Sequence, residues 1–146
     1  MEYNDVYFMR QAIREAIKAL EEDEVPVGAV VVVNKQIIAR GHNTTERLND
    51  VTAHAEMLAI TSAANYLGVK YLNDCTIYIT LEPCSMCAGA LFWSQIGRVV
   101  YGASDEKRGF IKSGGELHPK TIKTMGIEAE VCSDLLKDFF RKKRIR

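Results

Sequence analysis

No apolar run in these 146 residues is long enough to cross a membrane. The longest, 25–33, is interrupted by Pro26 and Gly28 and falls well short of the roughly 20 residues a spanning helix needs. The opening, MEYNDVYFMRQ, places acids early and lacks a hydrophobic run, so no secretory signal is expected. Repeats and low-complexity linkers are absent, and at roughly 150 residues per domain one domain spanning 1–146 is expected. Net charge is absent too, with nineteen basic against nineteen acidic residues. Such a chain is not coated for non-specific polyanion binding. Cysteine is scarce, at four residues. A domain of this size buries about 70% of the surface its unfolded form exposes and needs no disulfides. In the reducing cytoplasm, the expected compartment, Cys75, Cys84, Cys87 and Cys132 read as metal ligands or buried thiols.

What is present is an ordinary globular mix, 47% apolar and 26% charged, which excludes a disordered or fibrous chain. The zero net charge hides an asymmetry. Arg141, Lys142, Lys143, Arg144 and Arg146 close the chain with no acid among them, leaving 14 basic against 19 acidic groups before them. A basic tail on an acidic body can hold a polyanion at one place, or simply end a helix whose dipole favours cations there.

Periodicity gives the order of elements. Val6, Met9, Ile13, Ile17 and Leu20 recur at helical spacing, with Asn4 or Asp5 as the cap. A β-branched strand is expected over 27–33, a two-residue turn at Asn34-Lys35, and a second strand over 36–40. After a polar loop, a helix is expected over 52–67 with Thr52 as its N-cap. A strand over 75–81, a helix over 84–96 announced by Pro83, and a strand over 98–102 follow. The segment 107–123 reads as loop, 127–131 as a short strand, and 133–143 as a helix with Leu135, Leu136, Phe139 and Phe140 on one apolar face. Trp93 reads as core or as a subunit interface. Strands alternating with helices predict an α/β domain with its sheet packed between helices.

Two short segments carry chemistry: His54-Ala55-Glu56 and Pro83-Cys84-Ser85-Met86-Cys87. Each falls at the expected start of a helix, where N–H groups and the dipole favour thiolates over thiols. Cys84 and Cys87 are three apart and share a helical face. With His54 they offer two soft sulfurs and one imidazole, a donor set that suits zinc. Three protein ligands are the count of a catalytic site, which keeps a fourth position for solvent. His42 and His118 sit in loops, and neither Cys75 nor Cys132 has a ligand partner nearby in sequence. Glu56, two residues from His54, is placed to move protons without binding the metal. A lone C-x-x-C is common as half of a structural site, and a lone His is usually an ordinary core or surface residue. The order H-x-E, then P-C-x-x-C, resembles the signature of zinc nucleobase deaminases.

With Glu24-Val25-Pro26-Val27-Gly28-Ala29, Gly41-His42-Asn43, Thr80-Leu81-Glu82 and Ile96-Gly97-Arg98-Val99-Val100-Tyr101-Gly102-Ala103, these motifs resemble the cytidine deaminase superfamily. Asp105-x-Lys107 and the ending from Cys132 through Leu135-Leu136-Lys137-Asp138-Phe139-Phe140-Arg141 point within it to the bacterial tRNA-specific adenosine deaminases. That resemblance implies a three-layer α/β/α cytidine-deaminase-like domain with a central mixed sheet, and a homodimer. It implies conversion of the wobble adenosine of a tRNA anticodon stem-loop to inosine. His54, Cys84 and Cys87 would bind one Zn²⁺ per chain, and Glu56 would shuttle protons. Asn43 would hydrogen-bond the flipped base, Val27 and Leu81 would wall the pocket, and Asp105, Lys107 and Arg141 would face the RNA. Without the resemblance, Asn43 reads as a turn former after Gly41. The residues also admit two other readings. One is the same chemistry on a free base or nucleoside such as guanine or cytosine. The other is a zinc-stabilised nucleic-acid-binding module, which has no use for Glu56 and needs a fourth ligand.

Overall fold

Asn4 is the residue that caps the first helix, its Oδ1 accepting from the Tyr7 amide at 2.9 Å. The computed structural model describes residues 2–145, so the tail's Arg146 lies outside the described residues. In chain order the elements are α1 (Asp5–Glu21), β1 (Gly28–Val33), β2 (Gln36–His42), α2 (Ala55–Leu67) and β3 (Thr76–Leu81). Then come α3 (Ser85–Ser94), β4 (Arg98–Ala103), α4 (Phe110–Ser113), β5 (Ile122–Met125) and α5 (Ala129–Ile145). The strands form one mixed sheet in the order β2-β1-β3-β4-β5. β1 runs antiparallel to β2 and β3, while β3, β4 and β5 are mutually parallel.

Side chains alternate across the pleat and so fill two separate cores. Val30, Val32, Tyr78 and Val100 pack on Phe8, Met9 and Ala12 of α1 and on Cys132 of α5. Val31, Ile77, Ile79, Val99 and Tyr101 point the other way, toward the alanines of α2 and toward Ala88 and Leu91 of α3. This is the expected α/β/α layering, and it explains why β1, β3 and β4 read as continuous apolar runs: both of their faces are covered. Two glycines allow the layers to close. A Cβ on Gly28 would run into the Ala12 carbonyl of α1, and one on Gly41 would meet the Ala55 carbonyl of α2 at 2.5 Å. The Asn34-Lys35 turn has φ of 50° and 62°, the left-handed pair a tight hairpin requires.

Three expectations are corrected. The last strand is Ile122–Met125, not 127–131. Gly126 (φ 84°) and Glu128 (φ 57°) turn the chain out of extended backbone, and α5 starts at Ala129. β5 is an edge strand with Ile122 and Met125 exposed, so burial left no alternation to read. Thr52 does not cap α2: it turns on the Asp50 carboxylate through its amide (2.8 Å) and hydroxyl (2.7 Å). Trp93 is not core, being 77% exposed on α3.

The start of α1 is tied to the sheet by Asp5. Its carboxylate takes both Arg98 nitrogens, at 2.9 and 2.7 Å, and the Tyr78 hydroxyl at 2.7 Å. The Arg98 hydrogen bond, more than any other cause, holds the Asp5 carboxyl below its ordinary value of 3.8. A carboxylate whose pKa is depressed on folding stabilises fully above its unfolded value, and loses that contribution as pH falls through the folded one. Wild type should therefore melt above Asp5→Asn at pH 6, with the gap closing in acid below about pH 4. Equal Tm values at pH 6 would leave the pair without a stabilising role.

Candidate metal and active site

His54 and Cys84 occupy the N-cap positions of α2 and α3, with extended backbone (ψ 153° and 175°). Neither side chain caps its own helix. Both are thereby free to face each other. Asn43 supplies what His54 withholds, its Oδ1 accepting from the Ala55 amide at 3.1 Å. Cys87 follows in the first turn of α3 and is buried. His54 Nδ1 stands 3.7 Å from Cys84 Sγ and 3.4 Å from Cys87 Sγ. The three donor atoms lie within 4.8 Å of one another, the sole such group of His, Cys, Asp and Glu among the described residues. A tetrahedral zinc with ordinary bond lengths would set sulfur and nitrogen about 3.5 Å apart, between the two separations observed. The group thus fits a zinc ion in donor chemistry and in span.

The Cys87 thiol donates to Cys84 and, with His54, lowers the Cys84 pKa to about 4. Cys87 is pushed far up by the same hydrogen bond and by burial. His54 is raised, chiefly by its bond to Cys84. Glu56 is buried in the first turn of α2, and desolvation raises its carboxyl. A carboxyl so placed, beside the donor group but outside it, can hold and release a proton.

A sequence model of the MafB19-like deaminase family matches residues 3–144. A protein of Aquifex aeolicus (strain VF5) named tRNA-specific adenosine deaminase is 45% identical over 143 residues, covering 94% of this chain and 95% of that one. This chain belongs to that deaminase family. It is similar to a structure from a study of A-to-I editing by tRNA:A34 deaminases at the wobble position of transfer RNA. That match has a TM-score of 0.83 and 40% identity, over 89% of this chain and 99% of the other. The guanine deaminase of Bacillus subtilis is a weaker match, with a TM-score of 0.66 and 36% identity over 76% of this chain and 68% of that one.

The deaminase fold gathers some expected site residues and leaves others apart. Val27 is buried and its carbonyl accepts from the Asn43 amide at 3.1 Å, so these two residues sit together at the mouth of α2. Leu81, half-buried, ends β3 three residues before Cys84. Asp105 turns its own loop, its Oδ1 accepting from the amides of Lys107 (3.1 Å) and Arg108 (3.0 Å). Lys107 itself is exposed. Arg141 lies far along α5, paired with Asp138 at 3.0 Å, and is not in the donor group. Lys143, two residues on, reaches Asp23 at 2.7 Å, which ties the end of α5 to the loop before β1.

Two buried carboxylates that hold the backbone amides of loops escaped the sequence reading. Glu24 accepts from the Glu46 and Arg47 amides at 3.1 and 2.8 Å. Glu82 accepts from the Asp105 and Ile111 amides at 3.0 and 3.1 Å. The available signal was an acid one or two residues before a proline, Glu24-Val25-Pro26 and Glu82-Pro83.

Proposed function

We propose that this deaminase hydrolyses the exocyclic amine of the wobble adenosine in a tRNA anticodon loop, giving inosine and ammonia. The observation that carries the reading is the His54–Cys84–Cys87 group with buried Glu56 beside it, in a chain 45% identical to a tRNA-specific adenosine deaminase. His54, Cys84 and Cys87 would hold one Zn²⁺ per chain, which would polarise and orient the attacking water. Glu56 takes a proton from that water and gives it to N1 of the ring as oxygen bonds to C6. Glu56 then moves the second water proton to the amine, which leaves as ammonia while C6 becomes the carbonyl. Asn43 has its oxygen engaged by Ala55, so its amide N–H is the group that meets a ring acceptor. Val27 and Leu81 wall the base. An adenosine in a single-stranded loop leaves its stack at lower cost than one in a duplex. The experiment is direct: purified zinc-loaded protein, an anticodon stem-loop with a wobble adenosine, and inosine as the readout. Guanine or cytosine is the competing substrate in the same assay.

Asp105 and Lys107 would face the RNA, and the basic end of α5 would meet its phosphates, with Lys143 anchored to Asp23. Truncation after Phe140 should weaken stem-loop binding and leave metal content unchanged. It should also flatten the salt dependence by a log–log slope of about 0.7–0.9 for each phosphate that the tail neutralises in the intact protein. Unaltered affinity and slope would reduce the tail to a solvated helix end. A homodimer is part of the proposal, and exposed Trp93, with Phe92 against it at 5.6 Å, is a surface suited to a second copy. Among the described residues no helix is long and apolar enough to cross a membrane. A tRNA substrate implies a cytoplasmic site of action.

A further inference from the structure

We propose that Glu82 is a positioning residue that sets the loop 105–111 over the site, resting on the deamination of RNA argued above. Glu82 is 4% exposed and stands two residues before Cys84. Its two oxygens serve the two ends of one loop: Oε1 accepts from Asp105 N at 3.0 Å, Oε2 from Ile111 N at 3.1 Å. Its own amide is held by the Ala103 carbonyl at 2.8 Å, so the carboxylate is carried on rigid sheet backbone. The loop between these anchors presents Lys107 and Arg108 to solvent. Phe110 N donates to the Pro83 carbonyl at 2.9 Å, and Gly109 bridges to Cys84. The segment that supplies a sulfur ligand and the loop that supplies two cations are thus laced together by these backbone contacts and by one buried side chain that grips both ends of the loop.

The chemistry requires a carboxylate. Two N–H donors at two different oxygens need an acceptor at both ends of the side chain. Glutamine would turn an NH₂ toward one of them and leave a buried amide unpaired. The loop is folded down so closely that a Cβ on Gly109 would overlap the Glu82 carboxylate. Gly109, with ordinary negative φ, therefore tests the seating of the loop from its own side, since a Cβ there would press on both the Glu82 carboxylate and the Asp105 carbonyl. The function assigned to this contact is to hold the two cations at a fixed place beside the Cys84 segment, where they meet an RNA backbone. Chemistry at C6 does not involve it.

The test pairs Glu82→Gln with Gly109→Ala in the full-length zinc-loaded protein. Both should raise KM for the anticodon stem-loop about tenfold while kcat falls less than threefold and zinc stays at wild-type level. A residue that only supports the fold would lower Tm and the active fraction, and hence apparent kcat, without moving KM. That pattern, or an unchanged KM in both variants, overturns the proposal. Amide hydrogen exchange tests the contact apart from any substrate. The Asp105 and Ile111 amides should both exchange slowly in the wild type and one of them fast in Glu82→Gln, and fast exchange of both already in the wild type overturns it. A wild-type chain that fails to deaminate the stem-loop overturns the functional reading and, with it, the role given to the loop. Slow exchange would then leave only a structural contact.

Discussion

Glu56→Gln should abolish deamination while the protein keeps its zinc. General acid–base help of this kind contributes typically 10²–10⁴-fold, so kcat should fall by about that factor or more. Glutamine keeps the volume of the side chain in its fully buried place and removes only its capacity to carry a proton. Glu56 is outside the donor group of His54, Cys84 and Cys87, so metal content measured by mass spectrometry should stay near one per chain. Loss of the metal would make Glu56 a ligand, and near wild-type turnover would remove it from the chemistry.

Cys87→Ala should lose both zinc and activity. Among the described residues three donors converge, and two cannot hold the ion against competition from solvent and chelators. Metal that binds only the folded state stabilises by about 4 kcal/mol at a free concentration 1,000 times its Kd. Chelation should thus lower the Tm of the wild type and leave that of Cys87→Ala unchanged. The controls are the other two cysteines. Cys75 and Cys132 are buried apart from the group, and burial pushes the Cys132 thiol up to about 12 and raises Cys75 as well. Both are neutral thiols with no metal to bind, so Cys75→Ala and Cys132→Ala should keep full zinc. A zinc-loaded Cys87→Ala, or a zinc-free Cys132→Ala, would place the metal elsewhere.

The sequence was most legible where a residue's chemistry and its place on an element agreed. His54, Glu56, Cys84 and Cys87 are met in that order at two helix starts, and the fold brings the three donors together. The central strands were equally plain, because burial on both faces of β1, β3 and β4 leaves β-branched runs. Legibility failed at the edge. β5 buries little, so its hydropathy carries no alternation, and its place was given to apolar residues around Ile127, which packs against the α1-side core from a turn. Thr52 failed for another reason. A threonine before a helix is a good cap by local rules, yet Asn43, 12 residues away, takes the amide of Ala55. The roles of Glu24 and Glu82 were hard to read for the same cause. Their partners are backbone amides of distant loops, and an amide leaves no mark on the sequence that donates it.

The most direct measurement is a competition. Zinc-loaded protein is given an anticodon stem-loop with a wobble adenosine, the same stem-loop with guanosine at that position, and free guanine and cytosine. Inosine is read by mass after nuclease digestion, and ammonia release is read in parallel. The wobble adenosine should be converted to inosine with one ammonia per site, faster than any other substrate offered, and Glu56→Gln should be silent in the same assay. Deamination of guanine or cytosine in preference to the stem-loop would contradict the proposed substrate. Absence of ammonia from every substrate, with zinc in place, would contradict the reaction itself.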